Sequence, residues 1–235
     1  MIKIKTPKLS KKEESALCLE CGECCKRYWI TVLPSEAVKI SKFLDKSKSR
    51  FLDSDCVLDV KVYPKSTQGV LTFSSALFPK RVIDLLRKEI NPLPESFFVV
   101  PQVVLKREEK NTFTFFDGKT NMQKRFACKF TSANNSCDIY PVRPEPCKEF
   151  PFIAMPGYRE QYPFCELFSS TFKDFSIESR IYYRKIQQYF KDVDEKGFSR
   201  VWLNPPKKGI FSLGDKELGQ ITLNELLEMI PKQNK

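Results

Sequence analysis

The sequence predicts an α+β fold: a single domain organised around metal, with irregular Cys- and Pro-rich loops and a helical extension at its C-terminal end. Three observations carry this. Segments with helical spacing alternate with a long run of β-branched and aromatic residues. Prolines at 141, 144, 146 and 151 forbid a long regular element in the stretch that follows that run. Eight of the nine cysteines fall into two groups of four, at intervals that suit metal ligation.

The elements follow in order. Residues 1–17 form a basic N-terminal tail, rich in Lys. A short strand is expected at Trp29–Leu33, then a helix opening at Pro34-Ser35, residue types that suit a first turn. Ala37, Ile40, Phe43 and Leu44 have the spacing of its buried face. A second amphipathic helix spans Pro79–Ile90 and closes at Asn91-Pro92. Residues 97–130 read as strands, with turns at Glu108–Asn111 and Asp117-Gly118. Residues 131–152 form a proline-pinned loop carrying Cys137 and Cys147. Residues 176–193 read as a helix with Ile177, Ile181, Ile186 and Phe190 mostly on one side, and residues 209–230 as a hairpin and short helix. The chain thus divides into the tail, a cysteine-cluster domain over 18–170, and an extension over 171–235, with the site expected in the irregular 91–170 region.

Composition narrows the chemistry. With 41% hydrophobic and 13% aromatic residues in 235, the chain can bury a sizeable core and is not disordered over most of its length. It has no His, which excludes Ser-His-Asp and Cys-His catalysis and every His-liganded metal site. Gly209 and Gly214 have the interval of a phosphate-binding loop, but Asp215 stands where its Lys belongs. No apolar run approaches the ~18–20 residues of a membrane span. Residues 1–17 lack the apolar block of a secretory signal. The expected compartment is a reducing cytoplasm, where clustered thiols bind metal or do redox work. The net charge of +11 is spread along the chain and interleaved with acids, as on a solvated surface, so nucleic acid is disfavoured as a partner. A protein partner or protein substrate stays open.

The cysteines are the informative feature. Cys18, Cys21, Cys24 and Cys25 form C-x2-C-x2-C-C; Cys128, Cys137, Cys147 and Cys165 form the distal group. Cys56 is left over and reads as a packing residue. C-x2-C is the spacing at which a tight turn directs two thiolates at one ion. Gly22, directly after Cys21, suits such a turn because its φ can be positive. Side chains of neighbours such as Cys24 and Cys25 diverge, so they face different ions or one of them is not a ligand. Eight thiolates would satisfy two four-coordinate zinc centres or two cubane iron–sulfur clusters; one centre with spare thiols, and disulfide or redox pairing, are the rivals. Thiolate centres are anionic, and Lys26, Arg27, Lys129, Arg143 and Lys148 each lie within a few residues of a cysteine. Arg143, on a proline-stiffened loop, is the best placed to donate in a fixed fork, against the rival of an ordinary surface salt bridge.

"CLECGECC" (18–25), "ITVLPSEAVKISKFL" (30–44), "CKF" (128–130), "CDIYPVRPEPCKEFPF" (137–152) and the later Cys165 together resemble the YkgJ-like cysteine-cluster family, the zinc- or iron-chelating CxxCxxCC domain. The resemblance spans roughly residues 18–168. It implies that Cys18, Cys21, Cys24, Cys25, Cys128, Cys137, Cys147 and Cys165 chelate zinc or iron; the residues themselves leave one centre or two open and make Gly22, Tyr140 and Arg143 the expected support around the cysteines. A relative, the flagellin lysine N-methylase, links the domain to modification of lysine side chains, but no methyl-donor loop is recognisable here. The expectation is a metal-binding cysteine-cluster protein. The alternatives are an iron–sulfur-dependent protein-modifying enzyme, such as a protein-lysine N-methyltransferase, and, more weakly, a basic nucleic-acid adaptor.

Overall fold

The computed structural model describes residues 22–64, 71–116, 122–149, 177–214 and 216–230. In chain order its elements are α1 (Glu23–Arg27), β1 (Thr31–Val32), α2 (Pro34–Phe43), α3 (Lys48–Asp55), β2 (Cys56–Tyr63), β3 (Leu71–Ser74), α4 (Lys80–Arg87), β4 (Ser96–Leu105), β5 (Arg107–Phe116), β6 (Met122–Cys128), α5 (Glu145–Glu149), α6 (Ile177–Lys196), α7 (Phe198–Trp202), β7 (Lys208–Leu213), β8 (Lys216–Thr222) and α8 (Leu223–Met229). The mixed α and β content matches the expected class. The chain separates into two compact units, each discontinuous in sequence. One comprises Met1–Ile30 with Lys106–Arg184, the other Thr31–Leu105 with Lys185–Lys235.

The second unit is built on a six-stranded sheet in the order β1-β4-β2-β7-β8, with β3 also pairing β4. β2 has no counterpart among the elements read from the sequence, yet it joins the sheet's two halves. It runs antiparallel to β4, from Cys56 opposite Leu105 to Tyr63 opposite Phe98, and parallel to β7. Leu58, Val60 and Val62 are fully buried. Gly209 answers to the same strand: a Cβ there would lie 1.9 Å from the Leu58 carbonyl oxygen, so only glycine lets β7 approach. Cys56 is buried at 1% exposure in this sheet.

Pro101 interrupts a central strand, where a missing N–H would ordinarily cost a ladder bond. Its carbonyl instead accepts from the Tyr189 hydroxyl at 2.8 Å, and that hydroxyl accepts from Trp202 Nε1 at 3.1 Å. β1 pairs with residues 103–104 of β4 and β3 with residues 96–99, so position 101 lies in the gap between them. Proline therefore costs little there.

Helix starts follow the local chemistry. Pro34 opens α2, and the buried Glu36 carboxylate accepts the Leu33 N–H at 2.7 Å. Ser47 caps α3 by accepting from Arg50 N–H. Some expected faces need correction. On α2, Ala37 and Ile40 are fully buried, but Phe43, in the final turn, is 48% exposed. On α6 the buried positions among those described are Tyr189 and Val193, while Ile181 is 44% exposed. Both sets have helical spacing, and tertiary packing chooses between them. The turn expected at Glu108–Asn111 is an irregularity within β5, between Glu108 and Thr112. A strand absorbs extra polar residues this way without reversing. The turn expected at Asp117-Gly118 lies outside the described residues, although the strands flanking it pair antiparallel. No helix among the described residues is long and apolar enough to cross a membrane.

A capping box starts α8: Thr222 Oγ1 accepts from Glu225 N–H, and Glu225 Oε2 accepts from Thr222 N–H at 2.8 Å. Arg81 of α4 adds a fork to the same carboxylate, at 2.7 and 2.9 Å. These bonds, the Arg81 one first, hold the Glu225 carboxyl down at about 2. A carboxylate lowered on folding stabilises above its ordinary range, and the contribution disappears as pH falls through the lowered value. Glu225→Gln should therefore cost about 1 kcal/mol at neutral pH. In thermal melts its deficit against wild type should close as pH falls from about 5 towards 2.

Candidate metal centre

Five of the eight expected ligands are described, and all five belong to the unit formed by Met1–Ile30 and Lys106–Arg184. Cys18, Cys21 and Cys165 lie outside the described residues. Cys24 and Cys25 sit on α1, Cys128 ends β6, Cys137 follows a tight turn, and Cys147 is on α5. None of the described cysteines is in a disulfide.

Local chemistry places each one. Gly22 caps α1 with φ 61, the left-handed conformation expected of it. It presses on the Cys128–Cys137 turn, since a Cβ at Gly22 would lie 2.8 Å from Asn135 Cβ. Asn135 is itself left-handed, with φ 64. The turn is closed by Ser132 and Ser136, whose hydroxyls lie 2.6 Å apart, and by a bridge between Thr131 and Cys137. The Asp138 N–H reaches back to the Phe130 carbonyl at 2.9 Å. α1 packs on β6, which brings the N-terminal pair towards Cys128.

The thiols influence one another. Burial, followed by the Cys25 charge, pushes the Cys128 thiol far up. Burial also pushes Cys137 up to about 11, with Cys25 contributing. Cys147 is raised well above its ordinary range by burial, then by Cys25, Cys128, Cys137 and Cys24. One residue of α1, Cys25, thus acts on the three distal thiols among the described residues. Two backbone groups oppose these shifts: the Phe130 amide bonds the Cys128 sulfur, and the Ile139 amide that of Cys137. Each donor lies two residues after its cysteine, the arrangement in which a tight turn turns an N–H towards a thiolate.

The cations divide into two kinds. Arg143 packs its guanidinium 3.9 Å from the Tyr140 ring centroid, and its charge favours the Cys137 thiolate. Lys129 pairs with Glu108 at 2.8 Å, and Lys148 lies 3.7 Å from Glu145. The Arg27 side chain is outside the description. Among the described residues, a cation acting on Cys128 is Arg107, which sequence reasoning missed. A turn assigned at Glu108–Asn111 hides the register that sets Arg107 directly opposite Cys128.

The donor set suits zinc or iron: it is all sulfur, and two of the sulfurs already accept backbone N–H bonds. As placed, no three Cys, Asp or Glu side chains among the described residues form a group that could hold a metal ion.

Residues 99–166, under a third of the chain, match the family described as "CxxCxxCC: Putative zinc- or iron-chelating domain". A CxxCxxCC domain is therefore present over that part, which contains Cys128, Cys137, Cys147 and Cys165. The match concerns this domain and not the flagellin lysine N-methylase. No curated protein and no solved structure matches the chain.

Gly22→Ala should destabilise the unit by about 1–2 kcal/mol from its left-handed backbone, with the Asn135 clash added. Gly197→Ala, at φ 83 with nothing within 4 Å, should show backbone strain alone. Asn135→Gly removes the clashing carbon, so adding it to Gly22→Ala should recover part of the loss. Chemical denaturation of the four proteins measures this; no recovery in the double variant would show that the Gly22–Asn135 contact does not matter.

Proposed function

We propose that this chain is a thiolate metal-binding protein whose zinc or iron–sulfur centre draws on Cys18, Cys21, Cys24, Cys25, Cys128, Cys137, Cys147 and Cys165. One observation carries the reading. Cys25, from the N-terminal group, acts on Cys128, Cys137 and Cys147 of the distal group. Residues far apart in sequence thus influence one another, which supports the reading. The chelating domain matched over residues 99–166 supports the same chemistry.

When bound, the metal supplies a cross-link between two chain segments and a positive charge among the sulfurs. The protein's own residues do the rest. α1 presents Cys24 and Cys25, the turn before Cys137 fixes its distance from Cys128, and α5 brings in Cys147. The Phe130 and Ile139 amides and the Arg143 and Arg107 guanidiniums stabilise the sulfurs as anions. Such a site requires a reducing compartment.

Metal analysis and visible absorption of protein purified without oxygen test the reading. A brown protein with a broad visible band identifies iron–sulfur, and a colourless one with stoichiometric zinc identifies zinc. Absence of both metals would overturn the proposal. Cys147→Ser should lose metal and melt well below wild type, because serine is a far poorer ligand. Cys56→Ser, in the other unit, should keep its metal and cost only the ~1–3 kcal/mol of burying a hydroxyl.

A further inference from the structure

Arg107 combines two side-chain contacts with a register position opposite Cys128. It is the first residue of β5 and lies directly opposite Cys128 in the β5–β6 pair, so the two side chains leave the hairpin on one face. Its guanidinium carbon sits 5.3 Å from the centroid of the Trp29 ring. Its Nη2 donates to the backbone carbonyl of Lys26, in the last turn of α1. That carbonyl is one of those an α-helix leaves without an internal partner, and a cation at a helix C-terminus is favoured. One side chain thus touches the helix carrying Cys24 and Cys25 and the aromatic residue after it, from a position paired in register with Cys128.

We infer that Arg107 is the positioning residue that docks the Cys24–Cys25 helix against Cys128, bringing the two halves of the thiol site together. The inference rests on the thiolate–metal reading and adds to it the residue that assembles the ligand set. Arginine suits the task because one planar group can lie over a ring and donate in its own plane at the same time. Lysine keeps the charge but is a compact ammonium without that planar fork, so it cannot reproduce both contacts.

The test uses full-length wild type, Arg107→Lys, Arg107→Met and Trp29→Leu. Two quantities are measured: the rate at which a chelator removes the metal acquired on expression, and the iodoacetamide labelling rate of each cysteine, mapped by mass spectrometry. Cys128, at 6% exposure, reports docking of α1; Cys56, at 1% in the other unit, reports general unfolding. Arg107→Met should weaken metal retention on the order of 10–100-fold, as removing a residue that orients a ligand does. It should also label faster at Cys128, with Cys56 unchanged. Arg107→Lys should recover only part of both effects, and Trp29→Leu should shift them the same way.

Wild-type retention and Cys128 protection in Arg107→Met would overturn the inference. Full rescue by Arg107→Lys would overturn it too, since charge alone would then suffice. If Arg107→Met unfolds, seen as rapid Cys56 labelling, the Arg107→Lys and Trp29→Leu proteins decide. If wild type holds neither zinc nor iron, the metal reading falls, and Cys128 protection in the variants still decides the role of Arg107.

Discussion

Several thiols packed out of water repel one another once ionised, and burial penalises each charge before repulsion adds to it. The site region is organised by this conflict. Cys147 shows it most fully, with four other cysteines raising it on top of burial. Around that crowd the chain assembles whatever offsets negative charge: the Phe130 and Ile139 amides, the Arg143 guanidinium over Tyr140, and Arg107 at Cys128. Lys129 and Lys148 lie close in sequence but lean on Glu108 and Glu145. Nearness along the chain is a poor guide to which cation serves a sulfur.

The backbone meets the same conflict by rigidity. The turn between Cys128 and Cys137 is closed by side-chain hydroxyls and an isolated bridge, which restrains the backbone carrying the two sulfurs. Gly22 and Asn135, both left-handed, face each other where α1 meets that turn. Neither conformation is comfortable for an ordinary residue. Glycine removes one cost, and asparagine tolerates the other.

Parts of this were legible in the sequence, for identifiable reasons. Pro34 announces its helix because its ring fixes φ and its missing N–H is not needed in a first turn. Gly22 announces a left-handed turn because little else adopts one easily. The distal cysteines announce the chelating domain that the match over residues 99–166 places there. What was not legible depends on partners distant in sequence. β2 is recognisable as the sheet's connecting strand only once β4 and β7 flank it. Phe43 and Ile181 have the periodicity of buried residues, but periodicity does not say which positions meet another element. Arg107 needs the β5–β6 register to face Cys128, and that register depends on an irregularity that resembles a turn in the sequence.

Both compact units take chain from two places. In the ribosome's order of synthesis, Cys24 and Cys25 emerge long before Cys128, Cys137 and Cys147, so the first thiols exist for a time without the others. Closing so long a loop costs chain entropy that the late contacts must recover. β2 waits in the same way for β7, its parallel neighbour from the far end of the chain. Until β7 arrives, that flank of β2 is an unpaired edge open to other strands. The N-terminal thiols and the central strand thus share a vulnerable interval during which the cell, rather than the fold, must protect them.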